Sequence, residues 1–223
     1  MKELISVIIP VKDGGKYIDK AIEGIFAQDM NIEIIVVDDA SSDNTVEIAE
    51  SYGCKVVRHE VTKGPVAGKN SGLKVAGGKY ILFHDHDDIM TEGAIKKLYD
   101  ELSYDDKYSA VQAKVRDFYS DDLPEEERVK TLIKQEPYWG LFTGSTLIRK
   151  KTFDIIGYFN ESLTAGEIIE WQSKMDSNGL KIKKIDFVST MRRIHSSNYG
   201  KTNQNKEFKD YAAILRAKLK KQI

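Results

Sequence analysis

The chain has 223 residues, 41% of them hydrophobic and 31% charged, the balance of a folded domain rather than a disordered segment. Its 34 Lys and Arg nearly cancel its 35 Asp and Glu, so it lacks the whole-molecule field that draws a protein to nucleic acid. One cysteine excludes a disulfide framework or a thiolate metal centre, and no apolar run approaches the roughly 18 residues of a membrane helix. The first strand-like run starts within a few residues of Met1, leaving no room for a signal peptide, and the chain reads as cytoplasmic. Its length suits a single α/β domain.

Residues 4–11 form a continuous apolar run, as expected of a parallel strand covered on both faces, with Pro10 near its end because proline cannot donate to a ladder. After the turn Lys12-Asp13-Gly14-Gly15, the residues Tyr17, Ala21, Ile22, Ile25 and Phe26 recur at helical spacing. Residues 32–37 are a second buried strand ending in Asp38-Asp39. A helix through Val46, Ile48 and Ala49 follows, with Asp43 or Asn44 expected as its cap, Glu47 completing a capping box from Asn44, and Gly53 at its end. Residues 54–58 are a third strand, 64–78 loop and helix, 80–84 a fourth strand. Ala94, Ile95, Leu98 and Leu102 mark the next helix. Strands and helices alternating in this way predict a doubly wound, mostly parallel sheet with helices on both faces.

The second half is less regular. Tyr108–Tyr119 has strand character, 125–134 reads as a charged helix, 144–148 as a short strand, 150–156 and Glu167–Ser177 as helices. Residues 181–185 alternate Lys and Ile as an edge strand would. A final stretch, 206–223, reads as a basic amphipathic helix with Phe208, Tyr211, Leu215 and Leu219 on one side. Docking on the core is its expected role, and peripheral contact with an anionic membrane the alternative.

The chemistry concentrates where strands end. Pro10 to Asp13, Asp38-Asp39 and Asp85-His86-Asp87 all follow apolar strands, and in a parallel sheet such ends converge on one edge, where ligands bind. Asp85 and Asp87, two apart on an extended chain, project together and repel unless a cation or a proton intervenes. The segment from Gly64 to Gly72 places small residues, Lys69 and Asn70 near a helix start, an arrangement suited to an anion. It is neither a Walker loop nor a dinucleotide loop.

In order, Ser6-Val7-Ile8-Ile9-Pro10-Val11, Glu33 to Asp43, Gly64 with Lys69-Asn70-Ser71-Gly72, and Gly78-Lys79-Tyr80-Ile81 leading into Asp85-His86-Asp87-Asp88 resemble family-2 glycosyltransferases of the GT-A fold. The likeness is close over roughly residues 4–100 and looser beyond. It implies that Pro10, Val11 and Asp13 line a nucleoside pocket and that Asp39 accepts a base N–H. Gly64 and Lys69 would face the donor. Asp85 and Asp87 would be the acids of a DXD motif that holds Mn²⁺ or Mg²⁺, Asp85 lying toward the ribose and Asp87 on the metal, with His195 as a third ligand. His84 and His86 read as structural on a strand that stays extended, although His86, inside the motif, falls within the donor-binding stretch. Arg192 and Arg193, expected just after the last strand, suit a diphosphate.

The sequence also departs from that pattern. Lys69 stands where Arg is usual, which turns a bidentate fork into a point charge, and Lys12-Asp13 replaces an aromatic–Asn pair. Ile168 occupies the place of the usual Asp base, leaving Glu167 and Glu170, three apart on one helix, as candidate catalytic bases, with Glu167 preferred.

The resemblance implies residues 1–205 as the transferase domain, 1–103 being its nucleotide-sugar half and 104–205 its acceptor-binding and catalytic half. Its partners would be a UDP-sugar and a glycan, lipid-linked, peptide or small-molecule acceptor, with inversion at the anomeric carbon. Two other readings stay open. A sugar nucleotidyltransferase would share the sheet and the acids, and a non-catalytic nucleotide-sugar-binding module is motivated by Ile168.

Overall fold

The computed structural model describes residues 2–131, 133–140, 143–163 and 166–198. The stretch 206–223, expected as a basic helix, lies outside them. The strands are β1 (Ile5–Val11), β2 (Ile32–Asp38), β3 (Lys55–Arg58), β4 (Tyr80–Phe83), β5 (Ile89–Met90), β6 (Tyr108–Tyr119), β7 (Thr146–Arg149) and β8 (Lys181–Ile194). The helices are α1 (Ile18–Phe26), α2 (Thr45–Ser51), α3 (Pro65–Val75), α4 (Ala94–Ser103), α5 (Glu125–Lys130), α6 (Lys151–Ile156) and α7 (Glu167–Ser177). Among the described residues no helix is long and apolar enough to cross a membrane.

The strands form one sheet in the order β3-β2-β1-β4-β7-β6-β8-β5. β1 to β4 are mutually parallel, and β6 runs parallel to β8. β7 and β5 oppose their neighbours, so the sheet is mixed but mostly parallel. Both faces of β1 are covered, which explains its unbroken hydrophobicity. Ile5, Val7, Ile9 and Val11 pack into a core with Ile18, Ile22 and Ile25 of α1 and Ile95 and Leu98 of α4. Ile8, on the other face, joins a second core with Val66 and Leu73 of α3, Phe153 of α6 and Trp171 and Met175 of α7. Pro10 lies past the β1–β4 ladder, which ends at Ile8 opposite Phe83, so its missing donor leaves no gap there.

Several local expectations change. The Asn44–Glu47 box does not form at Asn44, which makes no side-chain cap bond. Asp43 takes that place, accepting from Thr45 N at 3.1 Å and from the Thr45 hydroxyl. α5 stops at Lys130. A 3₁₀ turn over Thr143–Ser145 precedes β7. β8 runs on to Ile194, so Arg192 and Arg193 lie in the strand, paired with Asp117 and Phe118, rather than after it. The Lys–Ile alternation of 181–185 is the part of β8 paired with β6 before β5 joins at Thr190 and Met191.

Candidate active site at the carboxyl edge of the sheet

Because β1, β2 and β4 are parallel, Val11, Asp39 and residues 85–88 emerge at one edge, and hydrogen bonds tie their loops together. Asp39 N donates to Val11 O at 2.8 Å. Asp13, with φ +50°, accepts from Ser42 N at 2.8 Å and Ser42 Oγ at 3.1 Å. The N–H groups of Asp13, Gly14 and Gly15 donate to Ser41, Thr45 and Asp43 side chains, each at 2.9 Å. The turn after β1 is thus committed to the α2 loop, not left open as a phosphate cradle.

Asp39 is nearly buried, and its carboxylate is well supplied with donors. Oδ1 lies 2.7 Å from His59 Nδ1 and accepts from Lys63 N at 2.8 Å, while Oδ2 accepts from Gly64 N at 2.8 Å. Burial pushes this carboxyl up, but the His59, Lys63 and Gly64 bonds outweigh it and hold it below the usual range. Gly64, at φ +91°, is in a conformation that glycine adopts freely, and it delivers its N–H while opening α3. Gly68 and Gly72 serve packing rather than ligand approach. A Cβ on Gly68 would stand 2.9 Å from Pro10 Cβ, and one on Gly72 would stand 2.3 Å from Ile8 Cγ2.

Past β4 the three acids part company. Asp85 is exposed. Asp87 Oδ2 lies 2.8 Å from His195 Nε2 and accepts from Asn198 Nδ2 at 3.3 Å. Burial raises the Asp87 carboxyl, yet the His195 bond and the nearby His86 and His195 charges bring it to about 2. Asp88 turns inward, Oδ1 accepting from Arg193 N at 2.9 Å. Burial, then Asp87 and Asp85, push it well above the carboxylate range. Asp88 therefore fastens β8 to the motif, and the cap position of α4 is Gly93. His84 is fully buried, with Nε2 3.3 Å from Asp88 O and its ring pushed toward neutral by burial, as its structural reading requires. His86 is half-buried beside Gly14, where an added Cβ would stand 2.6 Å from its ring.

His195 is held by Ser197 at 2.9 Å on Nδ1 and lies tilted at 48° against Tyr17, ring centroids 5.1 Å apart. Arg193 is buried between the rings of Tyr17 and Phe118, 4.9 and 4.7 Å from their centroids, and its Nε donates to Asp87 O at 2.9 Å. That makes it a brace for the motif. Among the described residues no group of three His, Cys, Asp or Glu side chains is placed to hold a metal. Asp87 and His195 alone offer one carboxylate and one imidazole, a donor pair that suits a borderline divalent ion completed by phosphate and water.

Lys69 reaches from α3 to α7, its Nζ 2.6 Å from Glu167 Oε1, with both side chains nearly buried. Burial lowers the lysine, but Glu167 and Asp85 more than reverse this, so it stays charged. Next to it, Asn70 binds Phe159 O at 2.9 Å, Phe159 N at 3.0 Å and Glu161 at 2.8 Å, pinning the second half to α3. Glu170 pairs with Lys174 at 3.4 Å, the ordinary i,i+4 arrangement. Ile168 is buried in the core beside Trp171. Trp139 is part-exposed, with Lys114 4.3 Å over one face of its ring and its indole N–H donating to Ile185 O. His59 and Asn198 are members of this site that received no role from the sequence. His59 follows β3 directly, so the strand-end rule applied to a third strand would have found it.

A model of glycosyl transferase family 2 matches residues 6–160. Glycosyltransferase GlyG of Streptococcus pneumoniae serotype 4 is 41% identical over 112 residues, 48% of this chain and 37% of GlyG. Among solved structures, S. aureus TarS in complex with UDP-GlcNAc superposes with a TM-score of 0.72 at 24% identity, over 91% of this chain and 61% of that one. Mannosyltransferase PcManGT from Pyrobaculum calidifontis, in complex with GDP-Man and Mn²⁺, gives 0.69 at 16% identity, over 91% of this chain and 60% of that one; both are likenesses of fold. The chain spans less than two thirds of each. With the family model covering more than two thirds of its length and the sheet edge built as described, this chain belongs to glycosyl transferase family 2.

Proposed function

We propose that the chain transfers a sugar from a UDP-sugar to an acceptor hydroxyl with the help of Mn²⁺ or Mg²⁺. One observation carries this reading: Asp87 and His195 meet at 2.8 Å on the sheet edge where Asp39, Asp85 and Lys69 also arrive. The UDP-GlcNAc in TarS and the GDP-Man with Mn²⁺ in PcManGT support a nucleotide-sugar donor and a divalent ion. A divalent ion bound by Asp87 and His195 would act as a Lewis acid on the departing diphosphate.

The chain's own groups do the rest. Asp39, kept ionised, takes a base N–H, and exposed Asp85 is available to the ribose. Lys69 supplies a cation beside the diphosphate, where charge develops as the glycosidic bond breaks. Glu167 takes the acceptor proton once Lys69 turns toward the diphosphate. Inversion follows the family pattern.

Calorimetric titration of UDP with Mn²⁺ tests the reading. Wild type should bind and Asp87→Ala should not; equal binding would overturn the metal site. The turn after β1 argues against a nucleotidyltransferase, since its N–H groups are already engaged. A binding module that does not turn over is the second reading, favoured by buried Ile168 where the usual base would stand. Slow metal-dependent hydrolysis across a nucleotide-sugar panel would decide for the enzyme, and binding with no turnover for the module.

A further inference from the structure

Behind the sheet edge lies a chain of three side chains from three segments. Asp39 follows β2, His59 follows β3, and Ser71 lies in α3. His59 Nδ1 is 2.7 Å from Asp39 Oδ1 and His59 Nε2 is 2.9 Å from Ser71 Oγ. Asp39 and His59 are both more than nine-tenths buried. An ionised carboxylate only accepts, so Nδ1 must carry the proton that points at Asp39; in the neutral ring, Nε2 then accepts the Ser71 hydroxyl proton. The order Asp–His–Ser is also that of a hydrolytic nucleophile. Ser71, however, sits inside α3, where the surrounding N–H groups are used by the helix and no oxyanion site can form.

We propose that His59, held in place by Ser71, is a specificity-determining residue that makes Asp39 a one-donor acceptor and so selects uracil over guanine. An ionised carboxylate offers about four acceptor positions, two on each oxygen. His59 Nδ1 and Lys63 N fill both on Oδ1, and Gly64 N fills one on Oδ2. One position remains, on Oδ2. Uracil presents a single imino N–H flanked by carbonyls, which one position satisfies. Guanine presents an imino N–H beside an amino group, a parallel pair of donors that requires both oxygens. With Oδ1 full, binding guanine would leave a buried donor unpaired or displace a protein bond. The ring also holds Asp39 at a fixed angle, because Ser71 fixes its far end. This rests on the nucleotide-sugar reading above, with Asp39 at the base.

The test is calorimetric titration of the full chain with UDP and with GDP, each with Mn²⁺, alongside thermal melting of every variant. Wild type should prefer UDP. His59→Ala should weaken UDP binding by about tenfold, the scale of one hydrogen bond, and shrink the UDP-to-GDP ratio. His59→Asn, whose amide N–H stands near the place of Nδ1, should restore most of both. Ser71→Ala should shift the ratio the same way by less. A His59→Ala protein of normal melting temperature with an unchanged ratio overturns the proposal while leaving the donor reading intact, whereas a wild type that prefers GDP overturns the proposal and the choice of UDP, leaving a nucleotide-sugar donor. A His59→Asn protein that melts normally yet behaves like the alanine variant also overturns it. Binding of neither nucleotide by wild type overturns this proposal and the donor reading together.

Discussion

Asp87 and Glu167 are both rim carboxylates, yet their partners set them different tasks. Asp87 faces an imidazole that can share a metal, whereas Glu167 is paired with Lys69, so one of its oxygens is engaged until the lysine moves. Glu167→Gln is therefore expected to lower kcat by ~10²–10⁴-fold, the usual scale of a general base, with UDP affinity little changed. Glu170→Gln, which breaks the Lys174 pair and keeps an oxygen for Asn160, should leave both constants near wild type. Equal losses in the two variants would remove Glu167 from its role. Asp39 makes a separate prediction about acid stability. Its folded carboxyl titrates below the unfolded value of about 3.9, so its contribution is full above that value and is lost as pH falls through the folded one. Urea unfolding from pH 6 down to pH 3 should show wild type losing stability more steeply than Asp39→Asn; parallel slopes would refute it.

At the scale of elements, α3 decides the site because it lies unusually close to β1. Gly68 and Gly72, one turn apart, let its backbone settle over Pro10 and Ile8, and that closeness aims Lys69 and Asn70 at the second half of the chain. Gly72→Ala should force a contact with Ile8 and cost about 1–3 kcal/mol, read as a lower melting temperature. Ile8→Ala made in the same chain removes the Cγ2 that the new Cβ would meet, so the double variant should lose less than the sum of the two single losses. Additive losses would mean that the crowding lies elsewhere. The sequence placed α3 and its small residues correctly but read them as room for a ligand. The neighbour that needed the room, Ile8, is 64 positions away, and no local pattern reports it.

On the scale of the whole molecule, the two halves expected from the sequence share one sheet. β7 pairs antiparallel with β4, and Val111, Ala113 and Leu147 complete the core that begins with β1. A fragment of residues 1–103 would bare the β4 edge and lose that packing, so it should show no cooperative melting by circular dichroism; a sharp transition would show the halves to be independent. Local pattern alone determined much of the rest. The parallel β1–β4 order, Tyr108–Tyr119 and Glu167–Ser177 are written in contiguous residues, because hydrophobic period and burial on both faces need no distant information. The convergence of Asp39, Asp85 and Asp87 on one edge followed from strand direction. Tertiary structure alone decided that β7 enters antiparallel, that β8 carries Arg192 and Arg193 into the sheet, that Asp88 binds Arg193 and that His59 supports Asp39. Those partners lie far apart in the chain, and only the simultaneous burial of both cores and the satisfaction of their polar groups selects which of them meet.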